Sequence, residues 1–593
     1  MTGSGRDVPT QEKALSAALS VIMVLSVVVI GMSGPAGAVV SQDEITFGSD
    51  TYDDDFEPGN LEVLILDGND NIQDSFSANT TSQTINRTNG STADDRVGNL
   101  TGSLNNTGKV IEFALNNATD SNSTVVVGPG EYNLTTGTPQ GDQPAGPIEI
   151  DATSASSVSV FAHNTTAPNR SEINTTTDLN NLTRVNDGSL NSLSVGIPSS
   201  GAPSDAGGFF FNSSQASTPG DALNVTNTAD SFSLTFENNN VSVGSADGVV
   251  FNGQSTAPSV TVNSNTLTGV TSFVNITGVV DNATVSGSIT GASSETGLNF
   301  TDSSANLTVD GLSLNDLGDG VNVTNADTSV DLSSSVTTDN TTNGLVTATG
   351  SSFDVTVTSS SSFSNDGTAL NVSHDGNVTV DSTTTISDAT IGVNLNTTGN
   401  FANLDPTINN ASDIGVNVSQ AATNITLSSA TFDGSGAGSD LGLNFTSDAF
   451  ASNLSVGSST SFSGLDDAGI QVNNVSAGEV TVDGATFADS TGDGVNITGG
   501  FGNNTTITDA TFSNVSTGVN VDSVDSEFNL TAHFNSFTDN TDGVLVDDGN
   551  ADDVYLTFND FVGNTDGLNV SNTNSAVNAN YSYWGQAGGP GGA

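Results

Sequence analysis

The phrase Gly494-Val495-Asn496-Ile497-Thr498 constrains this chain more than any other feature, because it keeps returning. Gly297-Leu298-Asn299-Phe300-Thr301, Gly320-Val321-Asn322-Val323-Thr324, Gly415-Val416-Asn417-Val418-Ser419, Gly442-Leu443-Asn444-Phe445-Thr446 and Gly567-Leu568-Asn569-Val570-Ser571 are versions of it. The spacing holds at roughly 23–27 residues, too short for a domain and right for one unit of a repeat array. In such an array each repeat touches only its neighbours. A chain of 593 residues therefore need not be cut into several globular domains.

Residues 479–499 show how one repeat closes. Val480 and Val482 alternate with Thr481 and Asp483, so one face is apolar and the other polar. Gly484 and Ala485 make a bend, and Phe487 points inward after it. Residues 489–493 form a polar turn. Gly494 follows, read as a position whose backbone conformation a Cβ would disfavour. Val495 and Ile497 then point in, while Asn496 and Thr498 point out. Stacked at a strand spacing of about 4.8 Å, the repeats place Phe432, Phe462, Phe487, Phe512, Phe537 and Phe561 in an internal aromatic ladder beside aliphatic ones. Gly, Ser, Thr, Asn, Asp and Val dominate the chain and long helix formers are scarce, which suits short strands and tight turns.

An open-ended stack must cover its first edge. Val110, Ile111, Ala114 and Leu115 fall at helical spacing, with Phe113 beside them. The strand and turn Thr124-Val125-Val126-Val127-Gly128-Pro129-Gly130-Glu131-Tyr132-Asn133 follow. This pairing resembles the N-terminal cap and first coil of the right-handed parallel β-helix, the pectin-lyase-like fold. The repeats resemble the carbohydrate-binding and sugar-hydrolase type, whose coils read N-x-F-x-x-N-x-x-G-I-x-L. Ser536-Phe537-Thr538-Asp539-Asn540-Thr541-Asp542-Gly543-Val544-Leu545-Val546 fits that pattern. Asn580-Tyr581-Ser582-Tyr583-Trp584-Gly585, with Gly589-Pro590, resembles the ending of such domains in secreted surface glycoproteins of halophilic archaea. The resemblance implies an all-β chain: a right-handed parallel β-helix over residues 106–593 with a short N-terminal capping helix. It implies no one activity, since this fold hosts unrelated functions.

Residues 1–38 read as a signal peptide: Arg6 and Lys13, an apolar run over 14–32, then Ala36-Gly37-Ala38 as the cleavage site. No second apolar run follows, so the mature chain has no integral membrane span, and the expected location is secreted, extracellular or at the cell surface. Residues 39–105 form an N-terminal extension. Within it the strand Glu62–Leu66 belongs to a small β module over 45–71, and 75–106 reads as a polar linker. The sequence stops at Gly591-Gly592-Ala593 without an anchor helix, which fits release, retention by partners or by an uncleaved N-terminus, or a fragment of a longer chain.

The formal net charge is −59, with seven Lys and Arg, none of them after Arg184. Such a surface repels nucleic acid and acidic polysaccharides and suits solution at high salt. No cysteine is present, so disulfides and thiolate metal sites are excluded. Lyases of the fold remove a proton beside a substrate carboxylate with an Arg or Lys base and Ca²⁺, and the repeats carry no such base. A glycoside hydrolase needs only placed carboxylates. Asp466-Asp467, Asp547-Asp548 and Asp552-Asp553 sit in turn-like stretches, and no catalytic residue stands out. His163, His374 and His533 fall on distant repeats and do not make a metal site, and His374-Asp375 reads as a solvated turn. No cofactor is expected apart from Ca²⁺ on the acidic turns over 539–542 and 547–553, for which no ligand can be named.

Roughly half of the Asn residues stand in N-x-S/T sequons, more than composition alone predicts. Asn79, Asn86 and Asn174 read as acceptors in flexible segments, and Asn322, Asn417, Asn496 and Asn569 as acceptors on the outer side of strands. The expectation is a secreted, N-glycosylated, acidic surface protein with a structural, adhesive or carbohydrate-binding role. Its partners would be carbohydrate or other cell-envelope proteins. The alternative is a polysaccharide-active enzyme on the same scaffold, a glycoside hydrolase before a lyase.

Overall fold

A computed structural model describes residues 61–67, 72–79, 84–87 and 95–99 and, apart from short loop segments, residues 106–585. The signal-peptide reading of residues 1–38 and the closing Gly-Pro lie outside these. The chain is a parallel β-solenoid with one helix among the described residues. It divides between Val243 and Gly244 into two compact units.

The first unit opens with an antiparallel sheet. Glu62–Leu66 pairs with Ile72–Asn79, then Thr84–Arg87 and Asp95–Asn99 add in turn. The stretch read as a polar linker thus carries three strands or parts of them. Its inward residues are few, with Phe76, Ala78 and Ile85 buried. An antiparallel sheet can leave its other face wet, which is why the apolar alternation was too sparse to read. Glu62–Leu66 also pairs antiparallel with Asn122–Val127, tying the extension to the first coil. The helix α1, Lys109–Asn117, buries Val110, Ile111, Ala114 and Leu115. Phe113 meets Phe76 edge to face at 5.0 Å. Lys109 is 5% exposed and pairs with Glu112, and its ammonium also donates to the Pro147 carbonyl at 2.6 Å. Burial pushes the Glu112 carboxyl up, against the lowering effect of Lys109. Parallel coils follow: Asn122–Val127, Ser157–His163 and Ser192–Gly196 stack in register on one side.

In the second unit a coil has three strands, as in Glu479–Asp483, Thr486–Ala488 and Asp493–Thr498. They are called here the entry, Phe and Gly-x-Asn strands. Each pairs in parallel with its counterpart one coil on, like above like: Val480 with Thr505, Phe487 with Phe512, Asn496 with Asn520. Val480, Val482, Phe487, Val495 and Ile497 are buried, as their alternation predicts. Phe432, Phe462, Phe487, Phe512, Phe537 and Phe561 form one continuous stack with centroids 4.7–4.9 Å apart and planes within 6° of parallel. Trp584 closes it, 4.5 Å from Phe561. The tryptophan of the end motif is therefore the lid of the core ladder.

Two kinds of residue turn the corners. After most strands at the Phe position the chain enters the left-handed region, at Asp316, Asn340, Asn365, Asp388, Asn410, Asp489, Asn514 and Asp539 among others. Asn and Asp tolerate that region better than other side chains, and the stacked pairs bond to each other, as Asn514 Nδ2 does to Asp489 Oδ1 at 2.9 Å. Part of the acidity is thus turn chemistry. The repeat glycine is different. Gly494 is not among the residues with positive φ. A Cβ there would lie 2.6 Å from the Gly518 carbonyl oxygen and 2.5 Å from Phe512 Cδ1. It is glycine because the next backbone and the aromatic stack come too close, not because of its own dihedrals.

Candidate functional site

The outward side of the Gly-x-Asn strands carries most of the strand sequons, and the structure joins them into a ladder of side-chain amides. Asn299 Nδ2 donates to Asn275 Oδ1 at 3.1 Å, and Asn322 to Asn299 at 3.1 Å. Further on, Asn394 donates to Asn371, Asn417 to Asn394 and Asn444 to Asn417, at 2.9–3.0 Å. Asn496 donates to Gln471 Oε1 at 3.0 Å. Asn322, Asn417 and Asn496 are thus outward, half-buried and engaged through the very nitrogen a glycan would take. Asn569 lies on the last Gly-x-Asn strand and bonds to Asp542. Asn79, Asn86 and Asn174, read as flexible, all lie on strands. The Asn174 amide donates to Glu131 Oε1 at 2.9 Å, and the side chains of Asn79 and Asn86 lie outside the described residues.

The conspicuous Asn residues of the coil motif have a second role, inside. Asn535 Oδ1 accepts from the Ala510 amide at 2.9 Å while its Nδ2 donates to the Ile507 carbonyl at 2.9 Å. Asn559 does the same for the Asn535 amide and the Ala532 carbonyl. Asn540 and Asn564 repeat the device on the other side of the Phe strand. Each buried amide ties a corner to the preceding coil and satisfies backbone groups that the bend frees.

No group of three or more His, Cys, Asp and Glu that can hold a metal ion occurs among the described residues. His374, read as solvated, is 1% exposed. It stacks on Phe353 at 4.2 Å and its Nδ1 lies 3.0 Å from Thr347 Oγ1. Burial lowers its pKa. The correction follows from register: His374 takes an inward position that the Asp375 beside it disguised.

The carboxyls of Asp366, Asp493 and Asp542 are all held above the usual carboxylate range, mainly by burial. Asp366 caps a turn, accepting the Thr341 amide at 2.9 Å and its hydroxyl at 2.8 Å. Asp493 accepts Asn520 Nδ2 at 3.1 Å, and Asp542 feels the charge of Asp566. A carboxyl that binds its proton more tightly folded than unfolded weakens the fold once pH exceeds its folded pKa. Stability therefore rises as pH falls through the window between the folded and unfolded values. Repulsion within a −59 chain acts in the same direction, whereas His374 acts oppositely below its ordinary pKa. At low salt the melting temperature is expected to climb as pH is lowered toward the ordinary carboxylate range, about 4. Asp493→Asn should make that climb shallower, and a flat or falling wild-type curve would overturn this account.

A cluster of exposed aromatic residues was not read from the sequence at all. Phe534, Phe558 and Tyr581 stand at the corner between entry and Phe strands and are 57%, 50% and 80% exposed. Phe534 and Phe558 stack at 5.3 Å, and Phe558 and Tyr581 at 5.2 Å, with planes 17° and 10° apart. His533 meets Phe534 edge-on. The signal lay in the register: the corner residue is Gly484, then Asp509, then three aromatics in succession.

No protein-family model matches the chain, and no curated protein matches it. Among solved structures, it is similar to two crystal structures of a mutant DFA-IIIase from Arthrobacter chlorophenolicus A6, one in complex with DFA-III. Identity is 12% in each, over 74% of this chain and 92% of that one, with a TM-score of 0.17. The class established by the fold itself is the parallel β-solenoid.

Proposed function

We propose that this chain is a non-catalytic surface protein: a secreted, acidic β-solenoid with a structural, adhesive or carbohydrate-binding role, N-glycosylated at part of its sequons. One observation carries this reading. On the Gly-x-Asn face the outward amides are bonded to one another from coil to coil in two runs, Asn275 to Asn322 and Asn371 to Asn444, with Val346 between them. A catalytic face would instead hold polar groups in reserve for substrate and for developing charge. The carboxyls near this face, Asp493 and Asp542, are also engaged with Asn520 and Asn569. Among the described residues of the second unit, the buried acceptors left without a partner on this face are single atoms, Oδ1 of Asn496, Asn520 and Asp542.

The ladder also ranks the sequons. Glycosylation takes one of the two hydrogens of the Asn417 amide and sets a bulky sugar beside the rung to Asn394, where a typical net bond contributes about 0.5–1.5 kcal/mol and depends on unhindered stacking. Asn322, Asn417 and Asn496 are therefore expected to be less occupied than sequons outside the ladder.

The test is a reducing-sugar assay on neutral and acidic polysaccharides at high salt, with site-by-site glycopeptide mass spectrometry on protein from a glycosylating host. No cleavage is expected, with ladder sequons modified least. Turnover of any polysaccharide overturns the non-catalytic reading in favour of a glycoside hydrolase. Full occupancy at Asn417 overturns the ranking.

A further inference from the structure

We infer that the Phe534–Phe558–Tyr581 ridge is a binding platform for a neutral saccharide chain. This rests on the reading of the chain as a non-catalytic surface protein and gives that protein a place to bind.

The ridge is costly, and packing does not account for it. All three residues are left-handed, with φ of 61°, 60° and 63°. That region disfavours a bulky L-residue by roughly 1–2 kcal/mol each. The equivalent corners two and one coils earlier carry Gly484 and Asp509, also left-handed at 74° and 52°, the residue types that suit the conformation. Register identifies these corners: Thr508, His533 and Thr557, the residues just before Asp509, Phe534 and Phe558, pair in sequence. Mutual stacking returns only about 0.5–1.5 kcal/mol per pair. A fold that needed only to turn here would keep Gly or Asp.

The corner is also held rigidly. The residues that follow the three rings are Asn535, Asn559 and Ser582. Asn535 and Asn559 are at most 2% exposed. Asn559 Oδ1 accepts the Asn535 amide at 2.9 Å, and Ser582 Oγ donates to the Leu556 carbonyl at 2.9 Å. The rings therefore sit in line on a fixed backbone and lose little freedom on binding.

The surroundings select the ligand. Tyr555 and Tyr583 flank the ridge at 41% and 51% exposure. The Tyr555 hydroxyl lies 3.2 Å from Asp553 Oδ1, and Asp560 and Tyr583 are backbone neighbours across a parallel β-bridge. Aromatic rings, hydroxyls and carboxylates stand together, and the chain has no Lys or Arg after Arg184. Because the rings stack on one another, the ridge presents ring edges along its length and its most open ring at Tyr581, 80% exposed. A sugar's C–H groups can pack on that apolar surface while its hydroxyls donate to the carboxylates. An anionic sugar would meet only repulsion. An apolar peptide would leave the carboxylates desolvated and unpaired. A second copy would bring another −59 to the contact. The rung spacing of 5.2–5.3 Å is close to the rise of one pyranose unit in an extended glycan, so a chain can lie along the ridge.

The experiment uses the full chain and the triple variant Phe534→Gly, Phe558→Gly, Tyr581→Gly at high salt. Glycine suits the left-handed corner, so the variant relieves strain and is expected to keep the wild-type melting temperature. Binding is measured by calorimetry against soluble neutral β-glucan and mannan, with polygalacturonate and polylysine as the other arms. The wild type is expected to bind a neutral glycan without cleaving it, and the variant about tenfold more weakly or not at all. Binding that survives in the variant overturns the site but leaves the surface-protein reading standing. Cleavage overturns that reading. Binding to polylysine alone, or self-association lost in the variant, assigns the ridge to a cationic partner or a second copy and overturns the proposal. A marked fall in melting temperature with unchanged binding shows the stack to be a structural clamp.

Discussion

Phe512→Asp is expected to unfold the coils on either side of it while leaving remote coils folded. Phe512 is fully buried, stacked 4.8 Å from Phe487 and 4.9 Å from Phe537. Truncating a core Phe costs about 3–5 kcal/mol through lost burial and the cavity left behind. A carboxylate in that cavity has no cation to meet, since no Lys or Arg follows Arg184, and adds several kcal/mol or forces the coil open to water. The total rivals the whole stability of a typical domain, about 5–15 kcal/mol. In a solenoid the damage stays local, because each coil contacts only its neighbours. Limited proteolysis with mass mapping should show new cleavage within residues 479–547, and circular dichroism a partial loss of strand signal. Phe512→Leu, which keeps the site apolar but gives up some volume and both ring stacks, should cost on the order of 1–3 kcal/mol, well below Phe512→Asp. Unchanged protease resistance in Phe512→Asp would mean that the ring does not face the core.

The fold was legible because a repeat states its rule many times. Phe at one position and alternating Val and Ile at another mark the inward faces of the coils from Phe432 onward. Four things were not legible, each for a physical reason. The antiparallel strands over 72–99 keep one face wet, so their apolar signal is thin. His374 is buried by its place in the stack, and a polar neighbour masked that place. The aromatic corner is hidden because Phe534 and Phe558 stand beside core Phe537 and Phe561 in the motif F-N-x-F. Composition cannot tell which ring of that pair turns outward. That is settled by the left-handed φ at the first and the alternation at the second. The sequons were legible as sequons. Their mutual bonding was not, because an amide ladder depends on neighbours about 23–27 residues away.

The repeat glycine leads to the second large effect. Gly494→Val is expected to destabilise the local coils by several kcal/mol, and Gly494→Ala by roughly 1–3 kcal/mol, the usual range for overpacking. The cause is contact, not conformation. A Cβ at Gly494 meets the Gly518 carbonyl oxygen at 2.6 Å, and Gly442, Gly469, Gly518 and Gly543 repeat that clash one coil apart at 2.5–2.7 Å. A backbone carbonyl cannot step aside without breaking the parallel register of Val495 with Val519. The two explanations for this glycine predict different rescues. If a left-handed φ were the reason, Gly494→Asn would be tolerated, as Asn514 is at its corner. If close approach is the reason, Gly494→Asn should fail as badly as Gly494→Val. Phe512→Leu should then relieve part of the Gly494→Ala penalty, by withdrawing the ring edge at 2.5 Å. A double-mutant cycle in urea measures this directly, with an expected favourable coupling of about 0.5–1 kcal/mol. Zero coupling together with a benign Gly494→Asn would return the glycine to a turn-forming role. A coupling of the expected sign ties the Gly-x-Asn phrase to the Phe ladder as two halves of one packing contact, which explains why the two recur together along the chain.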